Sequence, residues 1–148
     1  MREILFRAKT VKNVHWIWGD LFHAGTEPSD GEFAISYWDD EDGWMNENVQ
    51  PGTIGQFTGL LDKNGKRIFD GDIVECVSWN EYFSKDGKPM EPFRRKMFVD
   101  YRKGGFKMVE PMPEPMKDNE WDIICNGDIV IIGNIYDDPQ LIDMKCLG

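Results

Sequence analysis

Short runs in which apolar and polar side chains alternate, each closed by a glycine-bearing turn, recur along this chain. That period of two belongs to a strand with one buried face, and it excludes a helical bundle. Val14, Trp16 and Trp18 alternate with His15 and Ile17. Glu32 to Trp38 alternates again, and Lys96 to Tyr101 and Gly105 to Val109 form a hairpin pattern across Arg102-Lys103-Gly104. The turn signals are of the strongest kind: Asn64-Gly65, and Asp70-Gly71-Asp72 ahead of Ile73-Val74. The apolar runs Trp121 to Cys125 and Ile129 to Tyr136 are short and rich in β-branched residues, as buried strands are. Only Asp138-Pro139, with an N-cap residue before proline, signals a short C-terminal helix or turn.

The expected fold is therefore mainly β. An N-terminal β lobe, built on a hairpin of residues 3–9 and 14–22, spans residues 1–50. A small SH3-like β-barrel spans residues 51–148, with its strands between about Gly52 and Tyr136. A chain of 148 residues accommodates both. Pro111, Pro113 and Pro115 fall within six residues and mark an extended surface connection. Gly-Asp-Ile-Val occurs twice, at Gly71 and at Gly127, which reads as one turn chemistry used twice.

Charge narrows the function classes. The chain carries 17 Lys and Arg against 27 Asp and Glu, a net charge of −10. A field of that sign repels nucleic acid at long range. The local exception is Arg94, Arg95 and Lys96 with Arg102, Lys103 and Lys107, a candidate nucleic-acid surface. Its plainer reading is a solvated hairpin balanced by Glu91, Asp100 and Glu110. Six Trp and nine Phe supply either a core or an exposed aromatic surface. Trp16, Trp18, Trp38 and Trp44 are the candidate interaction residues, as a stacking platform or as a protein interface.

The chemistry-bearing residues give little sign of catalysis. His15 and His23 have no Cys or carboxylate at metal-ligand spacing. Cys76, Cys125 and Cys146 form neither a disulfide framework nor a metal pattern, and the first two read as small buried hydrophobes. The Asp39-Asp40-Glu41-Asp42 run lacks the ligand ladder of a calcium loop, and Asp70, Asp72, Asp137 and Asp138 stand in turns, where Asp bonds to local backbone. A metal-dependent hydrolase built from such carboxylates is the weakest of the three readings. No cofactor and no catalytic residue is assigned. The charged N-terminus is unlike a signal peptide and no run approaches a membrane span, so the expected compartment is the reducing bacterial cytoplasm or a host cytoplasm.

Three motifs are read together: Ile4-Leu5-Phe6-Arg7 followed by Trp16-Ile17-Trp18-Gly19-Asp20-Leu21; Ile54-Gly55-Gln56-Phe57-Thr58-Gly59-Leu60 running on through Asp62-Lys63-Asn64-Gly65-Lys66-Arg67-Ile68-Phe69-Asp70-Gly71-Asp72-Ile73-Val74; and Ile132-Gly133-Asn134-Ile135-Tyr136-Asp137-Asp138-Pro139-Gln140-Leu141. In this order they resemble the YopX family of small proteins carried by bacteriophages and prophages, over nearly the whole chain. The resemblance implies a mobile-element origin, a mainly β fold and self-association. It implies no catalytic residue or cofactor. The expectation that follows is a non-enzymatic accessory protein that binds itself or a host or phage protein.

Overall fold

A computed structural model describes residues 3–27, 31–78, 87, 93–123 and 128–142. Eleven strands are seen among them, with two short 3-10 turns and no α-helix. Two compact units divide between Gly59 and Leu60. The first contains β1 (Phe6–Lys9), β2 (Trp16–His23), β3 (Phe33–Asp39), β4 (Gly43–Val49) and most of β5 (Gly55–Leu61). The second contains β6 (Arg67–Phe69), β7 (Asp72–Ser78), β8 (Phe93–Arg102), β9 (Gly105–Glu110), β10 (Asn119–Asp122) and β11 (Ile129–Asn134). The sequence placed the division at 50/51. It falls later because β5 follows directly on the Pro51–Thr53 turn and pairs back onto β1, Arg7 opposite Gly55.

The strand ladders described among these residues are antiparallel. The N-terminal hairpin forms as expected, with Arg7 opposite Trp18 and Ala8 opposite Ile17. Strand β3 continues it on β2, and β4 on β3. The end of β4 is tied back to the end of β1 by a Thr10–Val49 bridge and by the Gln50 N–H, which donates to the Lys9 carbonyl at 2.8 Å. One face of these strands supplies the core of the unit: Ala8, Ile17, Ile35 and Val49, flanked by Phe6, Leu21, Phe33, Tyr37 and Ile54.

The second unit is a five-stranded sheet in the order β10-β9-β8-β7-β11, and period-two alternation gives it two apolar faces. Val74, Met97, Val99, Met108 and Ile129 pack with Ile68 on one side. Ile73, Phe98, Val109 and Ile142 pack on the other, with Ile132, Ile135 and Leu141 against them. The same alternation puts Ile131 on the first face and Ile132 on the second, and the register with β7 shifts between Ile131 and Gly133. The half-buried Cys76 joins the first cluster, and burial pushes its thiol pKa up, as for a packing residue. Cys125 and Cys146 lie outside the described residues.

The sheets do not close into a barrel, which corrects the SH3-like expectation. Closure requires the edge strands to pair. Here the outer edge of β11 is taken by a turn instead. The Lys63 N–H donates to the Ile129 carbonyl at 2.8 Å, and the Ile131 N–H donates to Asp62 Oδ2 at 3.1 Å. Asp62 Oδ1 also accepts the N–H groups of Asn64 and Lys66, each at 2.9 Å, so one buried carboxylate shapes the Asn-Gly turn and caps a sheet edge. The expected short C-terminal helix or turn is a single 3-10 turn, Pro139–Leu141. Asp138 does not cap it by side chain, because its Oδ2 accepts the Asn134 N–H at 3.2 Å.

Asp62 yields a pH prediction. Burial opposes its ionisation, but the donors Ile131, Lys66 and Asn64 outweigh that and hold its pKa below the ordinary 3.8. A depressed carboxylate contributes stability that is complete above the unfolded pKa and disappears as pH falls through the folded value. Asp62→Ala should cost about 2 kcal/mol or more at pH 7, the scale of hydrogen bonds to a charged group. Urea melts from pH 7 down to pH 2 should show the gap to the parent narrowing below about pH 4. A gap independent of pH would assign the loss to packing.

Candidate functional site

Because Ile17 points into the core of the first unit, its neighbours Trp16 and Trp18 point outward. In β3 the core residue is Ile35, so Ser36 and Trp38 face out. Trp38 sits opposite Trp44 in the β3–β4 ladder, and their rings meet edge to face with centroids 5.5 Å apart at 80°. The register therefore collects all four candidate indoles on one face. With His15, Asp20, Ser36 and Tyr37 they line an open cleft of about 450 Å³. Trp18, Trp38 and Trp44 are 49%, 59% and 68% exposed, an unusual outlay of apolar surface.

Strand β2 serves two partners: residues 16–19 pair with β1, and residues 20–23 pair with β3. Gly19 stands at the change. A Cβ there would lie 2.1 Å from the Ser36 carbonyl oxygen, so only glycine permits this approach. The cleft floor depends on that contact.

Electrostatics differ along the cleft. Arg7, buried and opposite Trp18, holds its guanidinium carbon 5.0 Å from the Trp16 ring centre, and Lys9 Nζ lies at 5.6 Å. The other end is acidic. Asp39 to Asp42 form the turn between Trp38 and Trp44, with Asp39 Oδ1 accepting the N–H groups of Glu41 and Asp42 at 2.8 and 2.9 Å. This is the turn role expected for the acidic run. Sequence reasoning did not place Arg7, Gly19, Asp20 or Tyr37 here, since strand register was needed to bring them to the indoles.

Beside the cleft, Thr10 Oγ1 lies 3.1 Å from His15 Nδ1, and His15 Nε2 lies 3.7 Å from Glu47 Oε2. Hydroxyl, imidazole and carboxylate stand in the order of a nucleophilic triad. The hydroxyl is otherwise committed. Thr10 is 1% exposed, its proton goes to the Lys12 carbonyl at 2.6 Å, and its oxygen accepts the His15 N–H. That leaves His15 Nδ1 as donor, and the arrangement fastens the β1–β2 turn. Tyr37 donates to Glu47 Oε2 at 2.5 Å, and this bond, then burial, raises its pKa to about 12.

The basic candidates lie in the second unit and do not form one surface. Arg94 and Arg95 are adjacent on β8, so they project to opposite faces. Arg94 to Arg102 spans about 26 Å of extended chain. Arg94 meets Glu75 at 2.9 Å, while Arg95 sits over Trp121 at 5.3 Å and 3.7 Å from Glu110. Arg102 bonds Asp100 at 2.8 Å and Glu120 at 3.0 Å, with Asp118 at 3.6 Å, and Lys103 also reaches Glu120 at 3.0 Å. The Arg102 and Lys103 bonds hold Glu120 below the usual carboxylate range. Lys107 pairs with Asp122, and Lys96, opposite Glu75, is exposed. Carboxylates thus balance this segment, with Asp100 and Glu110 among them as read from the sequence; Glu91 lies outside the described residues. Among the described residues no three His, Cys, Asp or Glu side chains converge as a metal site.

Two outcomes follow. Gly19→Ala should destabilise the chain by about 1–3 kcal/mol, the cost of forcing atoms into a packed site, read by urea denaturation. An unchanged midpoint would mean that β2 and β3 separate at no cost. The Tyr37 phenol should ionise near pH 12 in an ultraviolet titration, and Glu47→Gln should bring it down toward 10. Coincident titration curves for the two proteins would remove the Tyr37–Glu47 bond.

Comparison with known proteins supports the fold and gives the family. A crystal structure of protein EF1440 from Enterococcus faecalis superposes with a TM-score of 0.54 at 20% identity, covering 97% of this chain and 100% of that one. At that identity the likeness concerns the fold alone. No curated protein matches the chain. The profile of the YopX protein family matches residues 5–143, nearly the whole length, and the chain belongs to that family.

Proposed function

We propose that this chain is a non-enzymatic protein-binding module of phage or prophage origin, working inside the bacterial or phage-infected cell through the aromatic face of its first unit. The observation that carries the reading is the exposure of three indoles on one strand-built face. Leaving such rings in water forfeits the burial free energy they would gain in a core or an interface. Trp is also the side chain most enriched among residues that dominate binding energy. The nearby hydroxyl and imidazole are occupied in a turn, which favours binding over chemistry at this face.

A partner other than a second copy fits the charge better. Residues 1–59 carry four Lys or Arg against ten Asp or Glu, so two like copies repel where a basic protein is attracted. Nucleic acid is disfavoured on the same ground, and the basic residues of β8 face carboxylates.

The test uses the full chain as bait beside a Trp38→Ala/Trp44→Ala double variant, followed by calorimetry of each captured protein after purification. The expected result is a partner that binds the parent directly and the variant at least about thirtyfold more weakly, the scale of truncating hot-spot aromatics. Light scattering on both chains accompanies it, and an oligomer that the variant dissolves would make the partner a second copy. Captured proteins that all bind the variant equally well, or a monomer that captures nothing, would overturn the reading.

A further inference from the structure

The face already contains an instance of the contact it is built for. Trp16 stacks with two cations of its own chain, Arg7 and Lys9. Trp18, Trp38 and Trp44 have the same outward orientation, greater exposure, and no cation of the described residues over them. Carboxylates surround them: Asp20 lines the cleft with Trp18, and Asp39, Asp40, Glu41 and Asp42 connect Trp38 to Trp44. Indole faces attract a cation through their quadrupole, and adjacent carboxylates add a second attraction of the same sign. Nothing in that combination favours a phosphate, and a neutral sugar, whose hydroxyls can donate to carboxylates, gains no charge–charge attraction from the acidic turn.

We infer that the Trp18–Trp38–Trp44 end of the cleft receives the guanidinium or ammonium group of a basic peptide segment of the partner, the cation stacking on an indole and pairing with Asp20 or the Asp39–Asp42 turn. This rests on the protein-binding reading and adds the chemistry of the partner. Arginine binds more tightly than lysine, because its planar head stacks and is less strongly hydrated. Arg7 and Lys9 close the Trp16 end by occupying its ring and repelling a second cation, which gives the cleft a polarity along its length.

The probes are acetylated, amidated peptides alternating glycine with arginine, with lysine or with glutamate, titrated into the full chain and followed by tryptophan fluorescence and calorimetry. The arginine peptide should bind saturably, ahead of the lysine peptide, while the glutamate peptide leaves the signal unchanged. Trp44→Ala, and separately Trp38→Phe with its ring retained, should weaken binding, the alanine variant by about tenfold. Asp20→Asn should weaken it as well. Added salt should reduce the affinity without abolishing its dependence on Trp44. Circular dichroism establishes that each variant is folded; Trp44 is 68% exposed, so its removal leaves the core untouched.

Binding of the arginine peptide that is equal in parent and Trp44→Ala would reduce the effect to the diffuse acidic field and overturn the inference. Preferential binding of oligothymidylate or of an oligosaccharide, run as parallel probes, would overturn it too. A captured partner that needs Trp38 and Trp44 but contacts them without a cationic segment would remove this inference and leave the protein-binding reading standing. Absence of both a partner and a peptide response removes both.

Discussion

The first unit depends on one close backbone approach. Strand β2 leaves β1 for β3 at Gly19, where any side chain would meet the Ser36 carbonyl. That crossing fixes the β2–β3 register with Asp20 opposite Ser36. Since side chains alternate, a one-residue slip would turn Ile35 out to water and Trp38 in toward the core. The core of Ala8, Ile17, Ile35 and Val49 and the outer row of indoles are thus two consequences of one alignment. Gly71 plays a comparable part in the second unit. It adopts φ 91°, donates to the Val99 carbonyl and accepts from Ile135, with the Tyr136 ring where a Cβ would stand.

Local pattern carried most of the secondary structure. The first hairpin, the alternating strand β3 and the β8–β9 hairpin could be read from period and turn residues, because each is set by interactions within a few residues. Architecture could not be read this way. A barrel and two open sheets have the same strand signals, and the difference lies in what meets the edge of β11. That partner is Asp62, whose contact with Ile131 joins residues far apart in sequence. Asp62 itself looks like any turn aspartate beside Asn64-Gly65, and nothing local marks its second oxygen as the acceptor for a sheet edge.

The candidate surfaces show the same division. Trp16 and Trp18 share a face by spacing alone, and so would any i, i+2 pair on a strand. Bringing Trp38 and Trp44 to that face takes two ladders and the Gly19 crossing, which is long-range information. The basic segment is divided between faces for the opposite reason. Closeness in sequence suggested closeness in space, but on a strand it sends Arg94 and Arg95 to opposite sides and separates both from Arg102. The carboxylates that meet them come largely from neighbouring strands: Glu75 on β7, Glu110 on β9 and Glu120 on β10.

The acidic charge and the exposed aromatics also bear on each other. A row of exposed indoles on strands invites two copies to stack by burying apolar area, and a surplus of carboxylates on the same unit opposes that by repulsion. Under the proposed reading the same charges would attract a basic ligand, so one distribution would both oppose self-stacking and favour such a partner. Arg7 and Lys9 adjust this locally. Set over Trp16, they shield one ring with cations of the chain itself, leaving the acidic end around Trp38 and Trp44 as the open part of the face. The polarity of the cleft then follows from β1–β2 register, which places Arg7 opposite Trp18 and Lys9 opposite Trp16 on the outward side of the hairpin.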